Sequence, residues 1–198
     1  MNQKATKPRL KELFIEVEPG NKVKYITNHN FSKPPLILLH GVNTRSELFL
    51  DLIPYFTKDY HVFAPDFRGH GKSFHSNEVY SLEKFSKDIK TFIDKLIQKP
   101  CLCIGMSLGG RVGLTMAIQY SEIFSKLVVV DVGPNVNPEG LARIQKAQNL
   151  LPMSFKSKND LFEFYERAYK NVSKEYRNHI IRFSWVEQDD GSYQTSYD

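Results

Sequence analysis

A single serine stands where an apolar run of this sequence gives way to a helical pattern. Ser107 lies in "CLCIGMSLGGRVGL", two positions after Gly105 and two before Gly109. In the spacing G-x-S-x-G, a serine on a tight strand-to-helix turn takes a strained backbone conformation, and its hydroxyl stands at a helix N-terminus that favours a developing anion. We therefore expect Ser107 to be a nucleophile with positive φ that faces a cavity. The alternative is a glycine-rich turn whose serine only caps the helix.

Acyl transfer at such a serine needs two N–H donors aimed at the oxyanion. We expect one from Leu108, directly after the serine, and the other from Val42, in the loop after the strand that leads to His40 and Gly41. For the His40 side chain we favour a packed histidine that holds loops together. The function then lies in the neighbouring backbone.

The stretch "DFRGHGKS" (66–73) has two interpretations. It follows an apolar run and ends in Gly-Lys-Ser, as a phosphate-binding loop does. A phosphate loop places glycine five positions before Gly71, where this chain has Asp66, and a helix pattern does not follow at once. A glycine-rich turn near the rim of the site is the favoured interpretation.

Composition bounds the class of protein. The chain has 198 residues, enough for one domain with a sizeable core, and a net charge of +5 from 27 basic and 22 acidic residues. Basic and acidic residues are interleaved, which does not indicate a nucleic-acid partner, and no apolar stretch is long enough to span a membrane. Cys101 and Cys103 are expected to be buried thiols in a reducing compartment, which favours the cytoplasm.

The elements that must position these residues alternate along the chain. Strands are predicted at 12–17, 22–27, 34–41, 61–66, 100–106 and 126–131, and helices from Ser81 to Ile97 and at 108–120. Such alternation builds a mostly parallel sheet covered by helices, an α/β fold. Residues 138–186 show helical patterns only.

Four motifs occur in order at the predicted strand ends: "LLHGV", "DFRGHGKS", "GMSLGG" and "VVVDVGP". With them the chain resembles the α/β-hydrolase-fold serine hydrolases, an esterase-like family with a helical cap. The resemblance implies a core in residues 1–133, with helices on both faces of the sheet, and a cap inserted in residues 134–198. It further implies a small-molecule acyl or ester substrate, cleavage of an ester-like, C–C or thioester bond through an acyl-enzyme, and no metal or organic cofactor.

The resemblance also implies an acid and a late histidine. Asp131, at the end of the sixth strand, is either that acid or an aspartate that braces a loop or caps a helix. Five of the six histidines precede Ser107, and His179 lies in the cap pattern, where an ordinary cap-surface histidine is the favoured interpretation. The resemblance implies two further strands, which we expect to be missing from this sequence. We therefore expect the 198-residue chain alone to show no serine-dependent turnover.

Two classes of function remain after this reasoning. The first is a serine hydrolase; serine at the elbow argues against the haloalkane dehalogenase and epoxide hydrolase branches, while lyases and perhydrolases stay open. The second is an inactive, truncated remnant or a binding scaffold of the same fold. With "KLVVVD" (126–131) as an unpaired sheet edge, we expect the chain to aggregate or form a homo-oligomer, unless a C-terminal fragment complements it.

Overall fold

A six-stranded, mostly parallel sheet forms the centre of the computed structural model, which describes residues 9–133 and 137–197. Its strands are β1 (Lys11–Glu18), β2 (Asn21–Thr27), β3 (Pro35–Leu39), β4 (His61–Pro65), β5 (Cys101–Met106) and β6 (Phe124–Val130). They lie in the order β1-β2-β4-β3-β5-β6, with β4, β3, β5 and β6 parallel and the β1-β2 hairpin antiparallel. This confirms the predicted α/β fold class and places β6 at one edge of the described sheet.

The central strand β3 is fully buried because both of its faces are covered. Ile37 and Leu39 pack in one cluster with the helices α1 (Leu82–Phe92) and α2 (Leu108–Gln119). The alternate residues Leu36 and Leu38 point the other way and pack under two 3₁₀ turns at Ser46–Phe49 and Ile53–Tyr55. Burial on two sides explains why this strand is a continuous apolar run in the sequence.

Helix α1 begins where the sequence predicts it. The Ser81 hydroxyl accepts a hydrogen bond from the N–H of Lys84 at 3.3 Å, which is the geometry of an N-cap. The helix continues as a π-helical turn over Ile93–Ile97 and ends at Gln98, whose φ is 59°. The predicted helix from Ser81 to Ile97 is therefore confirmed, with a wider last turn.

The second part of the chain contains three helices and a small sheet. Its elements are α3 (Pro138–Asn149), β7 (Ser154–Phe155), α4 (Lys158–Ala168), α5 (Lys174–Ser184), β8 (Trp185–Glu187) and β9 (Tyr193–Thr195). The prediction of helices only for 138–186 is wrong, because β7 and β8 pair antiparallel with β9. Strands of two or three residues are too short to show an alternating pattern, and the contact between the Phe155 and Trp185 rings, 4.9 Å between centroids, is non-local.

The chain returns from this part to the turn that follows β4 at its last described residues. The N–H of Gly71 donates to the carbonyl oxygen of Ser196 at 2.6 Å, and Tyr197 forms a β-bridge with His70. The predicted domain boundary falls at residues 134–136, outside the described residues, so the division into core and cap stays a prediction. Among the helices that the structure describes, none is long and apolar enough to cross a membrane.

Candidate active site

Ser107 lies on the turn that joins β5 to α2. Its backbone has φ 50° and ψ −110°, which confirms the predicted positive φ at a strand-to-helix turn. Such a conformation is strained for a residue with a Cβ and is retained only where the surroundings fix it. Here the N–H of Ser107 donates to the carbonyl oxygen of Val130 at 2.9 Å, and the Ser107 carbonyl accepts from the N–H of Arg111 at 3.0 Å. The cavity expected in front of its hydroxyl stays a prediction.

The two glycines of the motif allow this turn because the backbone passes where side chains would stand. A Cβ at Gly105 would overlap the carbonyl oxygen of Gly109, and a Cβ at Gly109 would overlap the carbonyl oxygen of Leu39. The N–H of Gly109 donates to the carbonyl oxygen of His40 at 3.0 Å. The first turn of α2 is thereby fixed against the end of β3.

The two expected oxyanion donors lie on either side of this contact. Leu108 is the first residue of α2, so its N–H has no acceptor within the helix. On the other side, a Cβ at Gly41 would stand 3.5 Å from the Cβ of Ser107, so the Gly41–Val42 peptide runs beside the serine. The Val42 side chain is exposed, and the group expected to bind the oxyanion is its backbone N–H. The assignment of both donors stays a prediction.

His40 is a buried connector between three segments. Its Nδ1 donates to the carbonyl oxygen of Gly41 at 2.8 Å, and its Nε2 accepts from the N–H of Phe67 at 3.0 Å, which requires the neutral Nδ1–H tautomer. Burial is the main cause that lowers the pKa of His40 to about 3, and the neighbouring His70 lowers it further. With both ring nitrogens engaged, His40 holds loops together, which confirms the interpretation as a packed histidine.

The "DFRGHGKS" turn is filled by a carboxylate of the protein itself. The two oxygens of Asp66 accept hydrogen bonds from the N–H of Ser46 at 2.7 Å and of Lys72 at 3.0 Å. A Cβ at Gly71 would overlap this carboxylate. An acidic side chain in the centre of the loop would repel a phosphate, which supports the interpretation as a turn near the site.

A buried lysine neutralises this carboxylate. The Nζ of Lys24 lies 3.5 Å from Asp66 Oδ2 and 3.0 Å from Glu47 Oε2, and donates to the Ser46 hydroxyl at 2.8 Å. Sequence reasoning missed Lys24, Ser46 and Asp66 as supports of the site. The position of Asp66 directly after a buried strand was the available signal, because polar groups at the carboxyl ends of parallel strands meet at one edge of the sheet.

Asp131 lies beside the elbow but outside the strand that the sequence assigned to it. β6 ends at Val130, and Asp131 follows with φ 60° and an exposed side chain. Met106 pairs with Val130, so Asp131 stands at the same end of the neighbouring strand as Ser107. Its predicted role as the acid is compatible with this place and stays a prediction.

The histidines after and around the elbow lie in packed surroundings. His179 is on α5, where its half-buried ring contacts Phe183 at 4.6 Å between centroids. The buried ring of His70 lies 5.2 Å from that of His40. Within residues 9–133 and 137–197, no three His, Cys, Asp or Glu side chains are grouped as a metal ion would require.

Comparisons with known proteins assign the family. The family described as alpha/beta hydrolase fold matches residues 34–177. The chain is 26% identical over 141 residues to 2-(acetamidomethylene)succinate hydrolase of Mesorhizobium japonicum, covering 71% of this chain and 51% of that protein. It is 31% identical over 129 residues to epoxide hydrolase 4 of Mus musculus, covering 64% and 36%. An alpha/beta hydrolase structure from Novosphingobium aromaticivorans superposes with a TM-score of 0.85 at 22% identity, covering 96% of this chain and 68% of that chain.

The protein therefore belongs to the alpha/beta hydrolase fold family. The structural likeness extends over nearly the whole chain, while the chain spans about half or less of the two curated relatives named here.

Proposed function

We propose that this protein is a serine hydrolase that cleaves an ester-like bond, including C–C and thioester bonds, of a small-molecule substrate through an acyl-enzyme at Ser107. The strained backbone of Ser107 at the start of α2 carries the proposal. This conformation is the one that presents a serine hydroxyl at a helix N-terminus, and Ser107 also lies next to the Gly41–Val42 peptide.

The chemistry runs in two steps. The Ser107 Oγ forms a bond to the substrate carbonyl carbon while its proton passes to a base, and the tetrahedral oxyanion accepts hydrogen bonds from the N–H groups of Val42 and Leu108. The leaving group departs with a proton, and water then hydrolyses the acyl ester. In this family the base is a histidine held by an acid, for which Asp131 is the candidate; none of the described histidines is assigned to the role.

Both curated relatives named above are hydrolases, and one of them is an epoxide hydrolase. Serine at position 107 argues against the epoxide route, because that branch attacks with a carboxylate and forms an alkyl ester on it. The relative that hydrolyses 2-(acetamidomethylene)succinate supports a small-molecule substrate. An inactive scaffold of the same fold is the second candidate.

We further propose that residues 134–198 form a helical cap and that the protein is cytoplasmic. The second proposal is supported by two free thiols: burial raises the pKa of Cys101 to about 12 and raises that of Cys103 well above its usual value. Thiols of this kind are buried small hydrophobes and fit a reducing compartment.

Acylation of Ser107 tests the proposed function directly. The chain is incubated for hours with p-nitrophenyl acetate, and the acetylated residue is located by intact mass and peptide mapping. We expect one acetyl group on Ser107 with little turnover, because a general base contributes about 10²–10⁴-fold to rate. The variant Ser107→Ala should stay unmodified. Acetylation of the wild type and of Ser107→Ala to the same extent would favour the inactive scaffold.

A further inference from the structure

The carbonyl oxygen of Gly41 is held by two side chains. The Nδ1–H of His40 donates to it at 2.8 Å, and the hydroxyl of Thr44 donates to it at 2.9 Å. A carbonyl oxygen has two lone pairs, so both of its acceptor directions are occupied. The orientation of the Gly41–Val42 peptide is therefore fixed from the carbonyl side.

A peptide unit is planar and trans, so its N–H points opposite to its carbonyl. Because the Gly41 carbonyl points at His40 and Thr44, the N–H of Val42 points away from them. Gly41 is the residue of this segment that lies against Ser107. The only donor of this peptide unit is thus held on the side opposite the two side chains.

This peptide needs an external support because its own residues provide little. Glycine has no Cβ to restrict rotation, and the Val42 side chain is exposed, so side-chain packing at Val42 contributes little to the orientation of the peptide. Asn43, the next residue, has φ 60°, an uncommon conformation outside glycine. The hydroxyl of Thr44 closes this irregular turn by reaching back three residues.

We propose that Thr44 is a positioning residue for the oxyanion hole: its hydroxyl, with the His40 imidazole, holds the Gly41–Val42 peptide so that the Val42 N–H faces the oxyanion formed at Ser107. This inference rests on the proposed function for the oxyanion, but the orientation of the peptide can be measured without it. The far end of the loop is fixed separately, through the Ser46 N–H on Asp66 at 2.7 Å. Loss of the Thr44 hydroxyl should therefore act on the peptide and leave the loop attached.

The chain offers a matched control for the same type of hydrogen bond. The hydroxyl of Thr57 donates to the carbonyl oxygen of Pro54 at 3.1 Å, also three residues back, in a loop on another part of the molecule. Thr44→Val and Thr57→Val each remove one such hydroxyl with little change of shape. Thr44→Ser keeps the hydroxyl and serves as the rescue variant.

The first measurement is amide relaxation dispersion at Val42 by ¹⁵N NMR on the 198-residue chain. Thr44→Val should introduce microsecond-to-millisecond exchange at Val42 as the peptide flips, while the wild type, Thr44→Ser and Thr57→Val should not. An unchanged Val42 signal in folded Thr44→Val would overturn the positioning role, whether or not the protein is a hydrolase.

The second measurement is the affinity of phenylboronic acid, which forms a tetrahedral adduct with a reactive serine, followed by ¹¹B NMR. Thr44→Val should bind about tenfold more weakly, with Thr44→Ser and Thr57→Val near wild type. Equal affinity in all four chains would overturn the link between Thr44 and the oxyanion. If wild type and Ser107→Ala bind alike, the proposed function fails, and the relaxation measurement still decides whether Thr44 holds the peptide.

Discussion

The two sides of Ser107 differ in how completely the structure fixes them. The β3 side is the packed side. Its strand is fully buried, His40 is hydrogen-bonded at both ring nitrogens, and the first turn of α2 lies directly against the backbone of Leu39. On the β6 side, Val128 and Val130 are 44% and 43% exposed, and Asp131 is exposed beyond them. The groups proposed for nucleophilic attack and anion binding thus lie in a region with little freedom, while the candidate acid lies at an open edge.

The largest expected effect comes from a methyl group placed in the packed side. Gly109→Ala should destabilise the chain by more than about 3 kcal/mol, because the new Cβ overlaps the backbone of Leu39 and neither element can move away. Denaturant unfolding followed by circular dichroism measures the loss. Gly140→Ala in α3 is the matched control: its Cβ would lie 3.7 Å from Asn137, an ordinary contact, so stability should stay equal or rise by ~0.5 kcal/mol. A similar loss of stability in Gly109→Ala and Gly140→Ala would contradict the claim that the region around Ser107 is packed more tightly.

Acid should destabilise the fold through two buried neutral histidines: His40, beside the Ser107 turn, and His61, the first residue of β4 at the other end of the sheet. Burial lowers the pKa of His40 to about 3 and of His61 to about 4, whereas the unfolded chain binds these protons near pH 6.5. The contribution of each histidine to the free energy of unfolding is therefore complete above pH 6.5. It falls as the pH drops, by about 1.4 kcal/mol per pH unit for each histidine, until the pH reaches the pKa of that histidine in the folded state. Urea unfolding at pH 7 and pH 5 measures this loss, and His61→Gln should reduce it by roughly 2 kcal/mol. A loss of unchanged size in that variant would show that other groups carry the pH dependence.

The sequence predicted the parts of the fold that depend on local patterns. The predicted strands include β1, β2 and β3, and the start of α1 at Ser81 and the Ser107 turn were predicted as well; each follows from residues close in the chain. The supports of the site did not follow in this way: Lys24, Ser46 and Asp66 come together from three separate elements. The β7-β9-β8 sheet was missed for the same reason, because its strands are short and its pairing is non-local.

A moderate effect is expected from relief of strain at the nucleophile. Ser107→Gly should be more stable than Ser107→Ala by ~1 kcal/mol, because glycine adopts a φ of 50° without a steric penalty and alanine does not. Both variants lack the hydroxyl, so the comparison isolates the backbone. Thermal and urea unfolding of the two chains decide it, and equal stability would mean that this turn stores no strain.

The smallest effect on stability, and a clear one on association, is expected at the open edge. β6 carries a row of unpaired backbone groups in the described sheet and exposed valines, so the chain should dimerise or aggregate there. Val128→Lys should increase the monomer fraction in sizing chromatography while changing the melting temperature little. Ile118→Lys, at an 84% exposed position of α2, is the control and should leave association unchanged. A wild-type chain that is already a soluble monomer with one cooperative melt would rule out the edge contact.

The central claim is that Ser107 is a nucleophile beside a preformed oxyanion hole on the packed side of the site. A crystal structure of the chain with phenylboronic acid tests it most directly. The account predicts a tetrahedral boron on the Ser107 Oγ, with one boron-bound oxygen about 3 Å from the backbone nitrogens of both Val42 and Leu108. A boronate bound elsewhere, or a boron on Ser107 whose oxygens lie far from both nitrogens, would contradict it.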